Sequence, residues 1–125
     1  MNIKKAYLIL AFSSVSVIAL LYGVAPEWFA QTFLGLPQLG RDFEHILRAI
    51  AGLYLALGSF WLYAAFHPHL RNIAVVTTAI FAGGLAAGRV LSLALDGQPS
   101  PLLLFYLAIE LALLPIARWV FRRPE

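Results

Sequence analysis

Two residues of opposite charge lie inside apolar stretches of this sequence. Arg89 lies in the third of four long apolar stretches, residues 73–95, and Glu110 lies near the middle of the fourth, residues 102–121. A stretch of about 20 apolar residues can cross a bilayer as a helix, and an ionisable side chain at that depth usually pairs or serves a function. The spacing therefore predicts an ion pair between Arg89 and Glu110 inside the membrane.

Further polar residues share helical faces with this pair, because residues three, four or seven positions apart lie on one side of a helix. Asp96 follows Arg89 by seven positions, and Tyr106 precedes Glu110 by four. Arg48 lies near the start of the second apolar stretch. We expect these side chains to meet in the outer half of the membrane. The candidate ligand-binding residues are Arg48, Arg89, Asp96, Tyr106 and Glu110.

Three interpretations of this cluster remain open. In the first, the charges pair with each other, Arg48 with Glu44 or Asp96, and only fix the order of the helices. In the second, the two arginines line a pocket and hold a phosphate, a carboxylate or a polar lipid head. In the third, the cluster is catalytic.

The catalytic interpretation makes the protein a small membrane enzyme. Glu110 would act as a general acid or base on a lipid-soluble substrate, assisted by Tyr106 or His45. No motif defines a reaction, so the leading hypothesis is a non-enzymatic protein that binds a lipid-like amphiphile or partner helices through the cluster. An oligomeric transporter is a second alternative.

Composition places these residues in an integral membrane protein. Of the 125 residues, 62% are hydrophobic and 12% are charged, whereas soluble domains are about half apolar and a quarter charged. Four transmembrane helices are predicted, at about 6–25, 44–66, 73–95 and 101–121. Short connections make consecutive helices antiparallel, so residues 1–125 are predicted to form one all-α domain, a four-helix bundle running up, down, up and down.

Two connections carry structural signals. The longest, residues 26–41, mixes Trp28 and Phe29 with polar residues, which predicts a short amphipathic helix at the membrane interface. Such a helix would anchor its two neighbours; a lid over a binding cavity is the alternative. The connection 67–72 contains Pro68 and is predicted to be a tight turn.

Basic residues flank the apolar stretches mainly at one end of the predicted bundle. They are Lys4, Lys5, Arg71, Arg118, Arg122 and Arg123. Because basic segments stay in the cytoplasm, both termini are predicted to be cytoplasmic and the opposite, more acidic end to be external. The charges do not form the stripe that binds phosphates, so no nucleic acid partner is expected.

Metal and cofactor ligands are sparse. The sequence contains no cysteine, which excludes thiolate ligands and cysteine nucleophiles. His67 and His69 lie in the predicted turn and His45 near the other end of the bundle, so the three cannot hold a metal or haem together. We expect neither a metal site nor a cofactor.

Small residues recur four positions apart in the second and third stretches, as in helices that pack closely within membranes. Gly52 and Ala56 form one such pair, and Gly84 and Gly88 form another. The third helix has small residues on two faces and is predicted to contact two neighbours. The expected partners are membrane lipids, a second copy of the protein or another membrane protein. Pro115 predicts a kink in the fourth helix.

Several motifs together resemble a known family. They are Arg48-x-x-x-Gly52, Leu55-x-x-Gly58, Gly83-Gly84-Leu-Ala-x-Gly88-Arg89, Ser92, Asp96-Gly97-x-Pro-Ser100 and Glu110-Leu111. In this order they resemble the small four-span bacterial membrane proteins grouped as a domain of unknown function, the DUF4345 family. The resemblance extends over nearly the whole chain and implies a bacterial inner membrane, without implying an activity. The residues that match the family's polar pattern are Arg48, Arg89, Asp96 and Glu110.

Overall fold

The structure, a computed structural model, describes residues 2–36, 38 and 40–124. Within this range the chain forms helices and no strands, and four of the helices are long and apolar enough to cross a membrane. The helices are α1 (Ile3–Val24), α2 (Pro26–Phe29), α3 (Arg41–Ala65), α4 (Pro68–Asp96) and α5 (Pro101–Phe121). The short α2 continues into a π-helical turn, Ala30–Leu34. The predicted all-α bundle with a short helix in the first connection is confirmed.

The helices α1 and α3 each begin three positions earlier than predicted. The side-chain oxygen of Asn2 accepts a hydrogen bond of 3.1 Å from the backbone N–H of Lys5, which caps the start of α1. At the start of α3, Asp42 and Glu44 lie in the first turn, where negative charge is favourable beside the helix dipole. A side-chain cap at α1 and acidic residues in the first turn of α3 therefore favour helix starts that lie before the apolar stretches.

The helix α4 begins at Pro68, so the predicted turn over residues 67–72 was wrong in its bounds. Proline suits the first position of a helix, because its φ angle is already helical and its missing N–H would have no partner there. Only Phe66 and His67 separate α3 from α4. The turn is closed by Arg71, whose Nε and Nη2 donate to the carbonyl oxygen of Ala65 at 3.0 and 2.8 Å.

Contacts between the helices establish their directions. Gly23 of α1 faces Ala51 of α3, whereas Val15 faces Gly58, so α1 and α3 run antiparallel. The same opposite order relates α3 to α4 and α4 to α5. The bundle therefore runs up, down, up and down, as predicted. The interfaces of α1 with α3 and of α4 with α5 are extensive, whereas α1 and α5 touch each other little and leave a weak seam.

The close approach of α1 and α3 depends on Gly58. A Cβ atom at Gly58 would lie 2.8 Å from Cγ1 of Val15, so only glycine fits without a shift. Gly52 and Ala56, the pair predicted to pack, are exposed on a neighbouring face of α3. Within the chain, the close packing between α1 and α3 therefore falls at Gly58 rather than at Gly52 and Ala56.

The helix α4 contacts α3 and α5 and, at fewer positions, α1. Gly83 lies against α5, because a Cβ atom there would lie 3.6 Å from Cδ2 of Leu114. Gly84 and Gly88 are exposed, and a Cβ atom at either would meet nothing within 4 Å. The last helix, α5, continues through Pro115 to Phe121.

Candidate ligand-binding pocket

A pocket of about 490 Å³ lies inside the bundle and is lined by all four long helices. The residues that α3 contributes, Tyr54 and Trp61, are buried. By contrast, Leu10 of α1 is 67% exposed and Phe105 of α5 is 60% exposed, although both line the pocket. The pocket therefore has a closed back formed by α3 and α4, and it opens sideways through the seam between α1 and α5.

An ion pair lies in the wall of this pocket. Arg89 Nε donates to Oε1 of Glu110 at 2.9 Å and to Oε2 at 3.2 Å. The Arg89 side chain is 23% exposed and that of Glu110 is 10% exposed. The guanidinium carbon of Arg89 lies 5.3 Å from the centre of the Tyr106 ring, within the range of a cation–π interaction. The structure thus brings three of the predicted site residues together.

The guanidinium of Arg89 keeps donors that the ion pair does not use. A guanidinium presents N–H groups on Nε, Nη1 and Nη2, and only Nε donates to a residue of the described part of the chain. Arg89 also lines a second cavity of about 80 Å³, together with Ser92, Gly97 and Pro99 at the turn that joins α4 to α5. The charged group is therefore accessible from two cavities.

Tyrosines surround the ion pair. Tyr22 and Tyr106 face each other, and the ring of Tyr54 lies 6.2 Å from that of Tyr22. Phe29 of α2 is 1% exposed and packs edge-on against Tyr22, with ring centres 4.8 Å apart. The short helix α2 therefore packs against one wall of the pocket. Its place at a membrane interface, and its role as an anchor or a lid, stay predictions.

Hydrogen bonds between helices close the other end of the pocket. The hydroxyl oxygens of Tyr7 and Thr78 lie 2.8 Å apart, and Trp61 Nε1 donates to Oγ1 of Thr77 at 3.0 Å. From Tyr7 to Tyr22, 15 positions along α1, the pocket extends over about 22 Å at about 1.5 Å per residue. It is therefore a long apolar channel with its charged pair near one end.

Arg48 and His45 lie apart from this pocket. Both are exposed on α3, and neither lines the large or the small cavity. Arg48 Nε donates to the carbonyl oxygen of Gly23 at 3.2 Å. Within the described residues, Arg48 has no ion pair with Glu44 or Asp96 at 4.0 Å or less. The structure therefore does not join the two arginines around one ligand.

Asp96 also lies outside the pocket. It is exposed at the end of α4 and accepts a hydrogen bond of 2.6 Å from Oγ of Ser92, one turn earlier on the same helix. Its carboxylate is therefore bound within its own helix rather than by Arg89. The predicted polar cluster separates into an interior pair near Tyr106 and two exposed residues, Arg48 and Asp96.

Several pocket residues were not predicted from the sequence, because the prediction began from charged residues. Tyr7, Tyr22 and Tyr54 line the pocket, each within an apolar stretch. Tyrosine is enriched at membrane interfaces, where its hydroxyl meets water. Of these three, only Tyr54 lies well inside its apolar stretch, and it was therefore the available signal for an interior polar surface.

The described residues include no group of three or more histidine, aspartate or glutamate side chains that could hold a metal ion. His67 and His69 lie 6.1 Å apart by ring centres, beside the turn between α3 and α4. Polar chemistry inside the bundle therefore comes from Arg89, Glu110 and hydroxyl groups.

The sequence model of a family described as a domain of unknown function (DUF4345) matches residues 3–121. The chain belongs to this family. The DUF4345 match begins at the first residue of α1 and ends at the last residue of α5, so every residue that lines the pocket lies within it. The resemblance noted from the motifs is therefore confirmed. No curated protein and no solved structure matches the chain.

Proposed function

We propose that this protein binds one lipid-like amphiphile in the pocket between α1 and α5. The polar head lies beside Arg89, Glu110 and Tyr106, and the apolar part lies along the channel toward Tyr7. One observation carries the proposal: a long apolar channel, open to the side of the bundle, contains one partly buried ion pair among its described lining residues, near one end.

The size and lining of the pocket support a small ligand. Its volume of about 490 Å³ falls in the range of about 300 to 1,000 Å³ that is usual for ligand pockets. Such pockets combine apolar walls with a few convergent polar groups that fix the orientation of the ligand. Apolar burial alone selects little inside a bilayer, because lipid tails are as apolar as the protein wall. Recognition therefore depends on the polar groups around Arg89.

The proposal can be tested by a substitution that fills the channel with a larger side chain. Ala82 lines the pocket and is fully buried, so Ala82→Leu adds bulk inside it, whereas Ala87→Leu adds the same bulk on an exposed face of α4. Native mass spectrometry of protein released gently from its own membrane should show a lipid-like adduct on the parent and on Ala87→Leu that is lost from Ala82→Leu. A parent protein without an adduct, or an adduct equally strong on Ala82→Leu, contradicts the proposal.

A membrane enzyme is the second candidate, because Glu110 lines the pocket and is 7% exposed. Both of its carboxylate oxygens lie within 3.2 Å of Arg89 Nε, and each oxygen keeps a second lone pair with which it can accept a proton. Tyr106 is the neighbouring proton donor, since His45 lies outside the pocket. Loss of turnover in Glu110→Gln with retained binding would establish this role, and retained turnover would exclude Glu110 from it.

We further propose that the protein lies in a bacterial inner membrane with both termini in the cytoplasm. The positive-inside rule supports this orientation, because Lys4, Lys5 and Arg71 lie at the end of the bundle where α1 begins and α4 starts. Arg118 and Arg122 lie near the end of α5, on the same side. The ion pair then lies in the external half of the membrane.

A further inference from the structure

The charge balance of the pocket restricts the chemistry of its ligand, if the pocket is the amphiphile site proposed above. Arg89 and Glu110 are the only arginine, lysine, histidine, aspartate or glutamate residues among the described residues that line it, and they pair at 2.9 Å. The other polar lining groups are hydroxyls and an indole. The lining therefore carries one positive and one negative charge, and its net charge is zero.

We infer that the ligand is an uncharged lipid with one apolar chain and a carbonyl or hydroxyl head that accepts hydrogen bonds from Arg89. A neutral head leaves the ion pair intact and accepts from the N–H groups of Nη1 and Nη2, which have no acceptor in the described part of the chain. A volume of about 490 Å³ suits one chain rather than a whole phospholipid.

A charged head is unfavourable in the same place. An anion would compete with Glu110 for Arg89 and leave a surplus negative charge in an apolar site, and a cation would leave a surplus positive charge. A buried charge without a partner is strongly disfavoured. The second arginine that could have compensated an anion, Arg48, donates to Gly23 and does not line the pocket. A phosphate or carboxylate clamp formed by two arginines is therefore not available.

The side opening agrees with this ligand class. Leu10 of α1 and Phe105 of α5 line the pocket on the two sides of the seam, and both are apolar and exposed. An uncharged lipid can enter between α1 and α5 from the hydrocarbon without moving a charge through it, whereas an ionic head would have to be desolvated on the way.

The test compares three photoreactive probes with the same alkyl chain and different heads: a methyl ester, a sulfonate and a trimethylammonium group. The full-length protein in phospholipid nanodiscs is labelled with each probe, and peptides that contain Leu10, Phe105 or Ile109 are quantified by mass spectrometry. We expect the ester to label these peptides about tenfold or more above either ion, which corresponds to about 1.4 kcal/mol.

Two variants give the pocket lining a net charge, one positive and one negative, and provide the control. Glu110→Gln leaves Arg89 unpaired, so the preference should shift toward the sulfonate by about tenfold, and Arg89→Gln should shift it toward the trimethylammonium probe. Equal or stronger labelling of the parent by either ionic probe overturns the inference and leaves the amphiphile site standing. If no probe labels the parent above Ala82→Leu, the amphiphile site itself is wrong. The comparison within the parent protein decides the inference even if neither variant folds.

Discussion

Removal of either partner of the Arg89–Glu110 pair should destabilise the bundle by unequal amounts. In Arg89→Met the Glu110 carboxylate loses the only donor that either of its oxygens has among the described residues. Stranding one member of a buried pair costs about 3 to 5 kcal/mol, and we expect about 3 kcal/mol because polar contacts inside membranes fall at the lower end. In Glu110→Gln the guanidinium keeps the Tyr106 ring at 5.3 Å and an amide acceptor. That change should cost about 1 to 2 kcal/mol.

The double variant Arg89→Met/Glu110→Gln separates pairing from simple loss of a side chain. It buries no unpaired charge, so we expect a cost of about 2 kcal/mol and a coupling energy of about 2 to 3 kcal/mol between the two sites. The free energy of unfolding can be measured by equilibrium denaturation in mixed detergent micelles. Arg48→Met is the matched control, because Arg48 is exposed and bound to one carbonyl oxygen; it should cost about 0.5 to 1 kcal/mol.

Additive costs would refute this reasoning. If the double variant loses the sum of the two single costs to within about 0.5 kcal/mol, the two side chains act independently. An Arg89→Met variant that is no less stable than Arg48→Met would also show that the Arg89–Glu110 pair does not stabilise the bundle.

Two further outcomes are expected. Gly58→Ala should lower the unfolding free energy by about 1 to 3 kcal/mol in the same assay, because its Cβ atom would lie 2.8 Å from Cγ1 of Val15. Gly52→Ala meets open space and should leave the unfolding free energy unchanged or raise it by up to about 1 kcal/mol, because alanine favours a helix over glycine. A loss of stability in Gly52→Ala equal to that in Gly58→Ala would contradict the described α1–α3 interface. Because the sequence has no cysteine, Asp42→Cys and Arg122→Cys give clean single-site probes. In right-side-out vesicles an impermeant maleimide should label Asp42→Cys at once and Arg122→Cys only after lysis, and the reverse pattern would invert the proposed orientation.

The helices could be predicted from sequence because each apolar stretch is long and the turns between them are short. The boundaries were less accurate where local chemistry extends a helix past its apolar stretch. Pro68 illustrates this: it can break a preceding helix or begin the next one, and the sequence does not distinguish the two. The glycine at the α1–α3 contact could not be chosen from the sequence, because Gly52 and Gly58 are both candidates until the rotation of α3 is known.

The part of the site that could be predicted is the ion pair, because an unpaired charge inside a membrane is energetically costly. An arginine and a glutamate in neighbouring spans have few alternatives to meeting, and Arg89 and Glu110 lie 2.9 Å apart in the structure. Arg48 was grouped with them because helical periodicity gives the face of a residue but not the neighbour that this face meets. In the structure its neighbour is the backbone of Gly23. Tyr7, Tyr22 and Tyr54 were overlooked because an uncharged hydroxyl carries too small a burial cost to demand a particular partner.

The seam between α1 and α5 has a consequence for how binding should be quantified. The proposed amphiphile would enter through the seam between α1 and α5, by lateral diffusion within the bilayer and without being dissolved in water. The concentration that governs occupancy is then the mole fraction of the ligand in the lipid. Dilution of the aqueous phase should leave occupancy unchanged, whereas added lipid should lower it. An affinity expressed per litre of buffer would therefore describe the membrane preparation more than the protein.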